Sequence, residues 1–224
     1  MLQVINEYKV LDAFWLTIQL TVLSAIGSLL LGTVVAILRV SPVRIFQIAG
    51  AAYVNLVRNT PLTLVVFVMF FCLYQLMGWH IAPLSARSTV HAFQWGVIGV
   101  SIYHAAFVAE ALRSGVNTVP VGQAEAARAI GLTFSQSLSE IILPQAFRGA
   151  IAPLGNTMIA LTKNTTVVST IGVAEASYAM KYAIEESPHL LYQIFAVMAT
   201  GFVILTLPMG LAFTHFSRKL AVQR

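Results

Sequence analysis

Charge is scarce in this chain. Charged residues make up 9% of its 224 positions, where a soluble domain usually carries about 25%. So few charges cannot cover a water-facing surface, and hydrocarbon must cover much of it. The 58% hydrophobic content and mean hydropathy of +0.82 agree. Cysteine is nearly absent: Cys72 stands alone in an apolar run. That excludes a disulfide framework and a cysteine-ligated metal site within the chain, and it reads as a small buried apolar residue. No Gly-x-x-x-x-Gly-Lys-[Ser/Thr] segment occurs, so no phosphate-cradling loop of that kind is present. The formal net charge of +5 comes from Lys and Arg residues that form no run or stripe, which argues against a nucleic-acid partner. His80, His91 and His189 fall in connecting segments without metal-ligand spacing, and no intramembrane Ser/His pair, Asp pair or His–Glu set is legible.

What the chain does have is long apolar runs. Crossing about 30 Å of hydrocarbon takes about 20 mostly apolar residues. Segments near 13–38, 49–76, 93–112, 150–171 and 190–216 qualify. The expectation is an all-α membrane protein of five spans in a single domain over 1–224. The second span, with Arg58 and Pro61, and the fourth, with Lys163, are weaker on hydropathy. Residues 1–12 carry Glu7, Lys9 and Asp12 rather than a basic leader, and the first run is too long for a signal peptide's apolar region. It reads as a retained span.

Orientation follows from the cations. With the N-terminus outside, eight fall inside: Arg39, Arg44, Arg113, Arg128, Arg148, Arg218, Lys219 and Arg224. Only Lys9, Arg87 and Lys181 fall outside. The bias favours an outside N-terminus and a cytoplasmic C-terminus. Trp15, Trp79 and Trp95 then lie near outer span ends, as an interfacial belt does. Ser24, Ser28 and Gly32 form a small-residue stripe suited to close helix packing.

The cytoplasmic loop 113–148 is too polar to cross a membrane. Its sequence predicts a first short helix over 121–130 that ends at Gly131, a residue tolerant of left-handed backbone. A second helix starts at Thr133, with Gln136 in capping-box spacing, and is stopped by Pro144. Glu125 suits the positive start of the first helix, and Ala126 and Ala127 leave a thin face able to enter a groove on another protein.

Glu125-Ala126-Ala127, then Gly131, then Ile141 and Leu143-Pro144, resembles the EAA loop of ABC-importer permeases. Val57-Arg58-Asn59-Thr60-Pro61-Leu62 resembles the Arg-x-Thr-Pro-Leu element of polar amino-acid permeases. Pro153–Asn156 and Leu161–Thr165 resemble their fourth span. The likeness covers nearly the whole chain and runs nearest to actinobacterial glutamate-importer permeases, through Ala160–Thr166 and Gly172–Ser177. It implies the type I ABC importer permease fold in a bacterial plasma membrane. Glu125, Ala126, Ala127, Gly131, Leu143 and Pro144 would then couple to the ATPase. Its implied partners are a second permease subunit, a different chain rather than an identical copy, two cytoplasmic ATPase subunits and an extracytoplasmic binding protein. ATP and Mg would be bound by the ATPase, so this chain needs no cofactor and is no enzyme by itself.

Charged residues at membrane depth are costly and mark functional candidates. Arg58, Asn59 and Thr60 precede Pro61, which removes a backbone donor and can break the helix beside a polar passage. Lys163, Asn164 and Thr165 form a polar patch in the fourth span. Arg58 could instead snorkel to the interface, and Lys163 could pair with Glu110 or with the partner permease. His104 reads as a satisfied packing residue. The resemblance adds that many relatives carry Asp at the position of Asn164. No Asp or Glu occurs between Ala150 and Val173, so the passage suits an acidic amino acid such as glutamate. Glutamine or a basic amino acid is the alternative cargo. An ion-coupled secondary transporter is the alternative class, though Glu110 is its one candidate acid near a span.

Overall fold

The computed structural model describes residues 2–83 and 85–220, and Arg224 lies outside them. Among the described residues every regular element is helical. After a short α1 (Leu2–Glu7), α2 runs unbroken over Val10–Val40. It is apolar and free of proline, and it ends at Ser41 ahead of Pro42 with Arg39 in its last turn, where a cation suits the negative helix end. α5 (Ser88–Val116) is the central helix: 61% of its apolar window is buried, against 33% in α2 and 11% at the C-terminal helix.

α2 and α5 lie side by side and parallel. Ser24 Oγ donates to Val97 O at 3.4 Å, and Ser101 Oγ donates to Ser24 O at 3.4 Å. Further along, a Cβ on Gly32 would stand 2.6 Å from Val108 Cβ, so only glycine admits this approach. Ser24, Ser28 and Gly32 are all buried. The small-residue stripe is thus the seam with α5.

Because α2 and α5 run the same way, the chain between them must return. The sequence places a span near 49–76 with Pro61 able to break it; the structure has two helices there, meeting at 103°. α3 (Arg44–Arg58) is amphipathic and packs Gly50, Val54 and Val57 against the ends of α2 and α5. Pro61 forces the break, since it lacks a donor and holds Thr60 out of the helical region. α4 (Leu62–Phe67) then continues as a wider helical stretch with i→i+5 bonds, Val68–Leu76. It runs antiparallel to α5, with Val66 against Gly99 and Tyr74 stacked on His91 at 4.8 Å. His91 therefore sits inside α5 at 2% exposure rather than in a connecting segment. Cys72 is exposed on the wide stretch, not buried. Trp15 and Trp79 are exposed, but Trp95 is buried in the core, because α5 has neighbours on nearly every side.

α6 (Val121–Ala129) and α7 (Phe134–Gln136) occupy the loop after α5. α7 passes through a second wide stretch, Ser137–Ile142, directly into α8 (Leu143–Asn164). Pro144 therefore does not stop this helix. It falls at the first positions of α8, where the missing donor is tolerated and the wide turn before it makes room for the ring. α8 and the 3₁₀ segment Thr165–Ile171 run antiparallel to α5: Gly149 meets Thr118 near one end, and Gly96 meets Val168 near the other. α9 (Ala176–Glu186) follows, and α10 (Leu191–Leu220) returns against α8, with Phe213 on Gly155 and Thr162 Oγ1 donating to Met209 Sδ at 3.5 Å.

Three helical stretches are long and apolar enough to cross a membrane, at Val10–Val40, Ser88–Val116 and Pro188–Lys219. The bent pair makes a fourth if it counts as one. α8 falls short because Gln145 and Arg148 at its start, Asn156 in its middle and Lys163 and Asn164 at its end interrupt its apolar content.

Candidate functional site

Two regions carry the polar chemistry. The first is the loop between α5 and α8. α6 ends at Ala129 with Ile130 as its C-cap, and Gly131 follows in the left-handed region at φ +87°. Leu132 N–H donates to Ala127 O at 3.1 Å and Gly131 N–H to Arg128 O at 3.0 Å, the bond pair of a Schellman cap, with Leu132 and Ala127 its apolar contact residues. Nothing lies within 4 Å of a Cβ built on Gly131, so backbone conformation, not space, requires glycine there. Thr133 caps α7: its Oγ1 accepts from Gln136 N–H at 3.3 Å, and Gln136 Oε1 accepts from Thr133 N–H at 3.0 Å. The expected first-helix end and second-helix start are both present.

The faces are less simple than the sequence suggests. Glu125, Ala126 and Gly131 are exposed, as are Leu143 and Pro144. Ala127 is buried at 3%, packed inward on the second helix. The thin outward face therefore consists of Ala126 and Ala129 beside Gly122 and Glu125, flanked by Val121 at 72% and Ile130 at 77% exposure. Large exposed apolar side chains on a polar loop mark a surface that another protein covers.

The second region lies between α5 and α8, an open groove of about 250 Å³ lined by Tyr103, His104, Phe107, Asn156, Thr157, Ala160 and Asn164. His104, 1% exposed, is held at both nitrogens: Nδ1 to Val100 O at 3.0 Å and Nε2 to Asn164 Nδ2 at 3.1 Å. It is satisfied, as expected, and its partner is one of the candidate residues. Lys163 is exposed and stands on the same face of α8 as Asn156, seven residues earlier. Among the described residues its ammonium has no hydrogen-bond or ion-pair partner.

Glu110 is taken up by arginines rather than by Lys163. Its carboxylate pairs with Arg39, accepts from Arg113 Nη2 at 3.1 Å and lies 3.8 Å from Arg58 Nη1. One carboxylate thus ties the ends of α2, α3 and α5 together. The cause is geometric: α8 runs opposite to α5, so Lys163 sits near the level of His104 while Glu110 sits one to two turns nearer the Arg39 end. Arg58 is the loosest of the three, half-exposed, with its guanidinium 5.4 Å above the ring of Phe107. It therefore borders the groove.

The remaining candidates do not converge there. Asn59 Nδ2 donates to Asn55 O and Thr60 Oγ1 to Leu56 O, so both turn back on α3 at the break. Thr165 is fully buried and donates to Thr162 O, which removes it from the groove. Sequence reasoning missed Tyr103, Phe107 and Thr157 as groove residues. It also missed Glu175, fully buried, whose carboxylate caps α9 by accepting from Ser177 N–H at 2.9 Å and Tyr178 N–H at 3.0 Å.

The profile of the binding-protein-dependent transport system inner membrane component family matches residues 13–222. The chain belongs to that family. It is a multi-pass membrane protein of transport systems. Over 218 residues, 96% of both chains, it is 54% identical to the glutamate transport system permease protein GluC of Corynebacterium efficiens and 52% identical to that of Corynebacterium glutamicum. It is 34% identical to a probable glutamine ABC transporter permease of Bacillus subtilis over 96% of this chain and 94% of that one. Among solved structures, an amino acid ABC transporter crystallised with histidines superposes with a TM-score of 0.80 at 27% identity, covering 94% of this chain and 93% of that one. The MetNI methionine transporter in an inward-facing form shares the fold, with a TM-score of 0.74 at 18% identity over 95% of this chain and 96% of that one.

Proposed function

We propose that this chain is the permease subunit of an ATP-driven importer for acidic amino acids, glutamate foremost. The observation that carries the acidic assignment is the unpaired Lys163 ammonium beside a groove whose lining holds no carboxylate. Arg58 borders the same groove through Phe107. A cationic, hydrogen-bonding passage favours a substrate with surplus negative charge and disfavours a basic one. The relatives named for glutamate transport agree with this.

In this reading α2, the α3–α4 pair, α5, α8 and α10 make five crossings, with the N-terminus outside and the C-terminus in the cytoplasm. The first and last of them, α2 and α10, run the same way, which supports an odd number, and the cation bias supports the sense. A binding protein delivers the amino acid to the outer face. ATP and Mg bind two separate ATPase subunits, and ATP hydrolysis is theirs. The outward face of α6, with Glu125 and Ala126, enters a cleft on an ATPase subunit. Ala127 and Gly131 fix that face on the second helix, which passes through Leu143 and Pro144 into α8 without a stop. Motion at the ATPase therefore reaches the groove along one helix and opens it to alternate sides. A second permease, a different chain rather than a second copy, completes the passage.

The test is uptake by the importer reconstituted in vesicles with its ATPase and binding protein. ATP-dependent glutamate uptake is expected, competed by aspartate and not by arginine. Competition by arginine as strong as by aspartate would contradict the acidic assignment.

A further inference from the structure

The carbonyl of Val100 decides the protonation of the His104 ring. It lies 3.0 Å from Nδ1, and a carbonyl can only accept, so Nδ1 carries a hydrogen. In the neutral ring Nε2 is then a lone pair. The group facing it at 3.1 Å is the amide nitrogen of Asn164, which can only donate. Each bond fixes the other: the ring is held as the Nδ1–H tautomer, and the carboxamide is held with its nitrogen toward the ring. What remains is Asn164 Oδ1. Among the described residues it has no hydrogen-bond partner and is not among the buried unsatisfied atoms, and Asn164 lines the groove. A free carboxamide could present either end, since its two ends have nearly the same shape. Bonded to His104, Asn164 presents an acceptor.

We propose that His104 is a positioning residue that fixes Asn164 as the hydrogen-bond acceptor for the α-ammonium group of the transported amino acid. An ammonium has three donors and no acceptor, so Oδ1 suits it and an amide nitrogen does not. The rings of Tyr103 and Phe107, with centroids 5.2 Å apart, line the same opening and offer π faces to a cation. Lys163, next to Asn164 in sequence, and Arg58, over Phe107, supply the opposite polarity for carboxylates. The substrate is thus gripped at both ends. This rests on reading the groove as the passage. It does not rest on glutamate, because every α-amino acid carries the ammonium.

The test uses the assembled importer in vesicles, with whichever amino acid the wild type takes up. His104→Phe keeps an aromatic ring of similar bulk but has no acceptor, and uptake is expected to fall ~10-fold, the scale of one hydrogen bond to a charged group. His104→Gln offers its side-chain carbonyl to Asn164 and is expected to retain most of the wild-type rate. A packing role predicts the reverse order, with Phe the better replacement, and that order would overturn the proposal. Nitrogen-15 spectra of ring-labelled histidine supply a readout that packing does not move. The signal that disappears in His104→Gln should show a protonated Nδ1 and a bare Nε2, and a protonated Nε2 overturns the proposal. If the wild type carries an amino acid other than glutamate or aspartate, the acidic assignment fails and this test still runs. If His104→Phe transports at the wild-type rate, this inference fails and the acidic assignment stands.

Discussion

The two most constrained acidic side chains, Glu110 and Glu175, stand at opposite ends of the molecule and are held in different ways. Glu110 is surrounded by guanidinium groups at the end of α5. The sequence offered Lys163 as its partner and passed over Arg113 at i,i+3 spacing, while the approach of Arg39 and Arg58 depends on how α2 and α3 pack. Glu175 lies between the 3₁₀ segment and α9, outside the crossing segments. Burial pushes its carboxyl up to about 7 from an ordinary 4.5, opposed by the amides of Ser177 and Tyr178 and by the nearby Lys181 ammonium. The folded chain therefore favours the protonated form. The stability this contributes is fully present below about pH 4.5 and is lost as the pH rises toward 7. Glu175→Gln, uncharged throughout but able to accept only one of the two amide bonds, is expected to gain melting temperature in detergent relative to the wild type as the pH rises from 4.5 to 8. A difference in melting temperature that stays constant between those two pH values would contradict the burial argument.

At the scale of elements, local chemistry was readable wherever the chain itself supplied the partner. Gly131 and the Thr133–Gln136 capping box are short-range devices, and both lie where their spacing places them. Pro144 was misread because a proline stops a helix only when the preceding turn cannot widen, and Ser137–Ile142 does widen. Pro61 met no such turn and broke the chain, bending its two helices by 103°. The inward set of Ala127 was not legible, since both flanks of α6 carry small residues and only the second helix selects one. Gly131→Val probes the α6 end directly. A β-branched residue at φ +87° is strained by about 1–2 kcal/mol, which should shift the exit from α6 and reduce copurification of the ATPase about 10-fold. Copurification at the wild-type level would show that this turn does not set the docking face.

For the molecule as a whole, composition was enough to read a helical membrane protein, because scarce charge leaves no other surface. The helix directions needed packing: Ser24 at Val97 with Gly32 at Val108 makes α2 parallel to α5, and Gly149 at Thr118 with Gly96 at Val168 makes α8 antiparallel to it. α8 is the least apolar of the long helices because it carries Gln145, Arg148, Asn156, Lys163 and Asn164, of which Asn156 and Asn164 line the groove. The candidate passage was half legible. Lys163 and Asn164 stood out as polar residues in an apolar run, while Thr165, equally polar in sequence, is turned into the core. Tyr103 and Phe107 gave no signal, since aromatics are common in any membrane helix.

The central claim is a passage made selective for acidic amino acids by an unpaired cation. The most direct measurement is glutamate uptake by the vesicle-reconstituted importer carrying Lys163→Ala, with ATPase copurification and substrate-free ATP hydrolysis as controls. Uptake is expected to fall by ~10-fold or more, the scale of one charge-assisted contact, while both controls stay at wild-type levels. Uptake equal to wild type, with both controls normal, would contradict the account.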